Sequence, residues 1–101
     1  MEKLVRDRIP EIIRATGRDP VVRVASDAEM DALLRAKLVE EVDEFLASGE
    51  PEELADVLEV VLALAERAGL DPEALEQLRA EKAGARGRFS RRIVWSNEQG
   101  R

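Results

Sequence analysis

Apolar positions along the chain fall mostly at helical spacing, and Gly and Pro interrupt them at intervals that separate one element from the next. Leu4, Val5, Ile9, Ile12 and Ile13 suit one helix face, but Pro10 is awkward in a helix interior. The spacing therefore predicts an extended start and a short helix from about Ile9, stopped by Gly17. Asp19-Pro20 marks a turn, and the β-branched run Val21-Val22-Arg23-Val24-Ala25 predicts a strand. Ser26 or Asp27 then caps a long helix that runs to about Ala47, with Glu29 and Met30 in its first turn. Ser48-Gly49-Glu50-Pro51 breaks it, and Pro51 suits the first turn of a second long helix to about Ala68, which Gly69 ends. Asp71-Pro72-Glu73 starts a third, fading near Gly84 or Gly87. Arg91-Arg92-Ile93-Val94-Trp95 reads as a second short strand. Two isolated strands are expected to pair and tie the chain ends together. The fold class that follows is all-α, a helical hairpin plus a third helix forming a bundle, with a small two-stranded β element from the chain ends.

Composition narrows what such a fold can do. With 101 residues the chain is expected to be one domain, residues 1–101, with a thin core. Aromatics are only 3% of the chain, so that core must be aliphatic. There is no cysteine and no histidine, which excludes disulfides, thiolate or imidazole metal ligation, and any Ser-His nucleophile. Chemistry would fall to carboxylates, Lys, Arg, Ser or water. A net charge of -6 argues against binding a nucleic acid polymer, which relies on a basic face. No apolar run approaches the roughly 20 residues of a membrane span, and MEKLVRDRIP lacks the apolar stretch of a secretory signal. The expectation is a cytoplasmic protein with no membrane association.

The chemistry concentrates in Glu40-Glu41-Val42-Asp43-Glu44 on the first long helix and Glu53-Leu54-Ala55-Asp56 on the next. At about 100° per residue, Glu40, Glu41 and Glu44 share an arc of roughly 100°. Leu34, Leu38, Val42 and Phe45 fill the neighbouring arc, which places Glu41 at the border of the apolar stripe. Glu53 shares a face with Val57, Val60, Val61 and Leu64, and Asp56 lies beside it one turn along. An acid among valines is costly unless compensated, and a hard divalent cation with oxygen ligands, Mg²⁺, compensates it. A short connection implies an antiparallel hairpin with Glu44 and Glu53 near its mouth and Glu41 and Asp56 one turn deeper. All four then fit within ~8 Å along the axis, enough for one or two ions. The competing reading is a solvated helix face, because 22 acids in 101 residues produce such spacings by chance. Glu52, Glu59, Glu66, Glu73 and Glu76 are assigned to that class.

E-E-x-x-E followed on the next helix by E-x-x-D resembles the all-α nucleoside triphosphate pyrophosphohydrolases, the MazG-like superfamily. The start Lys3-Leu4-Val5-Arg6-Asp7-Arg8-Ile9-Pro10 is similar to the opening of its phosphoribosyl-ATP pyrophosphohydrolase-like branch. The end, from Glu81-Lys82 through Arg86-Gly87-Arg88-Phe89 to Ile93-Val94, is similar too. The resemblance implies that Glu41, Glu44, Glu53 and Asp56 bind Mg²⁺, with Mn²⁺ as a substitute. It also implies that Glu40, the first acid of the motif, helps to bind metal or orients the attacking water, which makes Glu40 and Glu41 the catalytic candidates. Water would cleave the α–β linkage of a standard or non-canonical nucleoside triphosphate, or a related nucleotide, giving monophosphate and pyrophosphate. Such house-cleaning of nucleotide pools needs no covalent intermediate.

Cations must meet the phosphate chain. Lys37 lies on the arc of Glu40 and Glu44, where it serves the phosphates or simply pairs with those acids. Arg6, Lys82 and Arg86 are further phosphate candidates from the family-like end segments, whereas Lys3 and Arg8 are as readily solvated and Arg91 and Arg92 are surface charges. Asp7 is read as the cap of the helix that follows it. The sequence departs from the family's larger members in one place. Only eight residues, 45 to 52, separate Glu44 from Glu53, which leaves less chain to cover a base.

The helices over 27–47 and 52–68 carry wide apolar stripes that a third helix covers only in part, so the bundle is expected to be completed by oligomerisation, as a homodimer or homotetramer like the family's members. Trp95 and Phe89 are candidates for an interface or for stacking on a base; for Trp95 a place capping the small core is the stronger reading. The alternative function is a non-catalytic helical module that binds nucleotide or dimerises without turnover. Glu53 discriminates the two, since a scaffold gains nothing from an acid on an apolar face. A partner-binding antitoxin is weaker still, because the end from Ser96 to Arg101 is too short for the tail it needs.

Overall fold

Helix boundaries in the computed structural model, which describes residues 2–96, follow the punctuation of the sequence. The elements are α1 (Ile9–Ala15), α2 (Asp27–Ser48), α3 (Pro51–Arg67) and α4 (Pro72–Arg86). Proline occupies the first turn of α1, α3 and α4, where its missing N–H costs no hydrogen bond. Ser26 opens α2: its backbone N–H donates to the Glu29 carboxylate at 2.8 Å, the reach-back half of a capping box. Asp71 opens α4 by accepting from the Ala74 N–H at 2.8 Å. The N-cap of α1 is Arg8, without a side-chain cap, so Asp7 does not cap that helix. Between α2 and α3 the chain reverses through Gly49 and Glu50 alone. Gly49 sits at φ 69, a left-handed conformation that favours glycine, and its N–H closes α2 onto the Phe45 carbonyl at 2.7 Å.

The resulting α2–α3 hairpin carries the main packing of the chain, and α4 leans on α3 alone. Along α2 the less exposed positions include Met30, Leu33, Leu34, Lys37, Leu38, Glu41 and Phe45, which have the spacing of one helix face, with Glu29, Glu40 and Val42 at its borders. Opposite them on α3 lie Glu53, Val57, Val60, Val61 and Leu64. Among the described residues only Leu34, Val60 and Ala65 are buried apolar side chains, and the fourth buried residue is Glu41 at 7% exposure. At the open end of the hairpin Arg67 ties α3 back to α2, with Nε 2.7 Å from Asp31 and Nη1 2.9 Å from Asp27.

The three long helices leave the bundle open within the chain, because α4 packs on α3 and not on α2. The radius of gyration is 18.3 Å and the longest dimension 65 Å, against about 13 Å for the radius of gyration of a compact domain of this length. The expectation of a β element is corrected: it is absent among the described residues. Residues 21–25 instead form an extended connector, and no backbone hydrogen bond joins them to residues 91–95. Arg23 fixes that connector: Nη2 lies 2.9 Å from Glu2 and 2.7 Å from Glu29. The second segment follows α4 through a turn with Arg92 at φ 57, on the one long helix that does not meet α2. A two-stranded ribbon is marginal without a third strand or a helix to cover it.

Trp95 and Phe89 are 88% and 97% exposed, so neither caps the core. Residues 97–101, on which most of the antitoxin-like tail would have to be built, lie outside the described residues. No helix among those described is long and apolar enough to cross a membrane.

Candidate metal centre

The centre forms where the seam of the hairpin changes from aliphatic to acidic. Glu41 stands two turns beyond Leu34 on the same α2 face, between Leu38 and Phe45, and so occupies a position that the pattern reserves for leucine. The sequence places it at the border of the stripe; the structure puts it inside. It is more buried than the neighbouring Val42. The short reversal at Gly49-Glu50 then brings the first turns of α3 level with it, so that half-buried Glu53 and Asp56 face the same point.

Two groups of carboxylates result. Glu41, Glu53 and Asp56 each offer an oxygen within 4.8 Å of the others, and so do Glu40, Glu41 and Glu44. Glu41 belongs to both. All five acids singled out in the sequence therefore meet at one end of the hairpin. The donor set is oxygen only, which suits a hard cation such as Mg²⁺. An ion that binds at about 2.0–2.1 Å fits carboxylates gathered this closely, with water completing its coordination.

The charge around the centre is unevenly compensated. Lys37 Nζ lies 3.2 Å from Glu41 Oε1 and 3.4 Å from Glu40 Oε2, so it pairs with both acids. Lys3 Nζ donates to the other Glu40 oxygen at 3.0 Å and holds that carboxyl below its ordinary pKa. Arg6 reaches α3, 3.6 Å from Asp56 and 3.8 Å from Glu59. Glu44 and Glu53 have no cationic partner among the described residues. The pKa of Glu44 is raised, first by the charge of Glu41 and its hydrogen bond to that carboxylate. That of Glu53 is raised by desolvation and then by Asp56. The cluster carries more negative charge than its lysines and arginine balance.

A pH dependence follows. Because both pKa values are raised on folding, the protonated cluster favours the folded chain below the ordinary carboxylate range, and that contribution is lost as pH climbs through the raised values. Above them the carboxylates repel one another unless a cation intervenes. Any rise in melting temperature on adding Mg²⁺ is therefore expected to be larger at about pH 7.5 than at about pH 5. Thermal melts with and without the ion at the two pH values check this, and equal shifts at both would contradict it.

The remaining phosphate candidates separate. Lys37 and Arg6 reach the carboxylates directly. Lys82 and Arg86 lie exposed on α4 and join none of them. Arg8 makes only a local pair with Glu11, and Glu76 one with Arg79. The residue that sequence reasoning missed is Lys3. Its contact with Glu40 spans 37 positions of chain, and the only sequence signal for it was a basic residue in the segment before α1.

Among known proteins, the chain is 62% identical over 48 residues to an uncharacterized protein of Mycolicibacterium smegmatis. The match covers 48% of this chain and 49% of that protein, so the chain spans about half the length of the curated relative it matches. No family model matches the sequence. No solved structure matches it either.

Proposed function

We propose that the protein is a Mg²⁺-dependent nucleotide pyrophosphohydrolase that cleaves the α–β linkage of a nucleoside triphosphate or related nucleotide to monophosphate and pyrophosphate. The observation that carries this reading is a carboxylate buried in an aliphatic seam, Glu41, at which two acidic triads meet. A helical hairpin gains nothing in packing from an acid there, and the motif around it resembles that of the all-α pyrophosphohydrolases.

In this reading Glu41, Glu44, Glu53 and Asp56 hold the ion. Mg²⁺, when bound, supplies positive charge to the phosphate chain and makes water a better nucleophile. Glu40 orients the attacking water and accepts its proton. The water oxygen bonds to one phosphorus of the α–β anhydride, the bridging P–O bond breaks with its electron pair going to the bridging oxygen, and monophosphate and pyrophosphate separate. Lys37 and Arg6 offset the charge of the phosphates.

Assembly belongs to the same proposal. Leu54 and Leu58 are 50% and 54% exposed on α3, turned away from the seam, and Val39 and Leu46 are exposed on α2. A homodimer or homotetramer covers such faces and completes the bundle that the single chain leaves open. The same exposed faces favour the second reading, a helical nucleotide-binding or dimerisation module without turnover. Pyrophosphate release from a panel of standard and modified nucleoside triphosphates, with and without Mg²⁺, separates the two: the enzyme releases it only with the ion, and the module not at all.

A further inference from the structure

Lys3 and Lys37 approach the Glu40 carboxylate from opposite oxygens, at 3.0 Å and 3.4 Å, so that this anion lies between two ammonium groups. The segment that brings Lys3 there is fixed at several points. Glu2 is gripped by the Arg23 guanidinium, Nη2 to Oε1 at 2.9 Å and Nε to Oε2 at 3.0 Å. Leu4 is half-buried, and Arg6 reaches Asp56 and Glu59 on α3. Residues 2–6 thus run from the start of α2 to the acidic face of α3. Between this segment and α2 lies a groove of about 370 Å³ lined by Glu2, Lys3, Leu4, Leu33, Lys37 and Glu40. Its volume falls within the range of small-molecule sites, roughly 300–1,000 Å³.

We propose that residues 2–6 form a basic strap over the carboxylate centre, and that Lys3 with Lys37 binds the outer phosphates of the nucleotide in this groove. The inference rests on the metal-centre reading above and adds to it a residue and a place for the phosphate chain. Without substrate, Glu40 occupies the position of the anion. A phosphate group carries more charge and more acceptor oxygens than a carboxylate, and so competes well for two ammonium groups. When it enters, Glu40 is released toward the water it orients. The Lys3 side chain is 60% exposed, so its exchange from carboxylate to phosphate requires no repacking.

Titration calorimetry with Mg²⁺ and inorganic tripolyphosphate, a probe that has the phosphate chain but no base, tests the strap. Lys3→Gln is expected to weaken tripolyphosphate binding about tenfold, the loss of one charge-assisted contact. Lys3→Arg is expected to restore most of it, and both variants keep the rise in melting temperature that Mg²⁺ produces. Unchanged tripolyphosphate affinity in Lys3→Gln, with the Mg²⁺ response intact, would overturn the strap and leave the metal centre standing. So would a Lys3→Arg variant as weak as Lys3→Gln, since Lys3 would then act by shape and not by charge. A wild-type protein whose melting temperature ignores Mg²⁺ would remove the metal centre and the strap together.

Discussion

Glu41→Gln is expected to lower Mg²⁺-dependent pyrophosphate release by at least about a hundredfold to a thousandfold, chiefly in kcat. Glu41 is the one carboxylate common to both triads, so its neutralisation removes a ligand from each. Glutamine keeps the shape of the side chain in the seam, and a carbonyl oxygen is a weaker ligand for a hard cation than a carboxylate. Asp56→Asn is expected to lose less, because Asp56 belongs to one triad and Arg6 already offsets part of its charge. Steady-state kinetics on the best substrate of the panel check both variants. A Glu41→Gln enzyme with wild-type kcat would mean that the chemistry lies elsewhere.

The second large effect is on stability, and its sign is unusual for a buried residue. Glu41→Leu is expected to stabilise the metal-free protein. Glu41 lies on the Leu34 face of α2 between Leu38 and Phe45, so a leucine continues along α2 the stripe that the carboxylate interrupts. The change removes a charge held at 7% exposure and relieves Glu44 of the neighbour that most raises its pKa. Lys37 loses one partner and keeps Glu40. Replacing a buried ion pair with well-packed apolar groups is neutral to stabilising by about 1–4 kcal/mol, and the same range is expected here because Lys37 is not left unpaired but stays with Glu40. At ~4–8 °C per kcal/mol for a chain of this size, the upper part of that range is a rise of ten degrees or more in melting temperature. The same variant is expected to lose its response to Mg²⁺. If Glu41→Leu instead unfolds more readily than the wild type, the Lys37–Glu41 pair holds the seam together and the acid is structural.

These two predictions show which parts of the molecule its sequence makes legible. The four helices are readable because their ends are set locally: Pro10, Pro51 and Pro72 start helices, and Gly49 closes one. The meeting of the five acids follows from the same local rules, since a two-residue reversal fixes which turns of α2 and α3 lie level. What depends on distant contacts was not readable. Val21, Val22 and Val24 have the composition of a strand, but an Arg23 clamp to Glu2 and Glu29 holds that stretch as a connector. An arc count puts Glu41 only at the border of the stripe, since it gives a residue's angle on its own helix and not how closely the facing helix approaches. The sequence leaves Lys3 as readily solvated as functional, because nothing near it reveals that its partner is Glu40. How much of the hairpin the third helix covers is equally unreadable, because amphipathic spacing does not say whether the surface a helix covers belongs to its own chain or to a second copy.

The central claim is that a Mg²⁺ centre at Glu41 splits a nucleotide at its α–β linkage. The measurement that tests it most directly is product analysis across the panel of standard and modified nucleoside triphosphates, with Mg²⁺ and with the ion chelated. At least one member is expected to yield nucleoside monophosphate and pyrophosphate in equal amounts, only when Mg²⁺ is present. Diphosphate and orthophosphate as products, cleavage that survives chelation, or no cleavage of any member would contradict it.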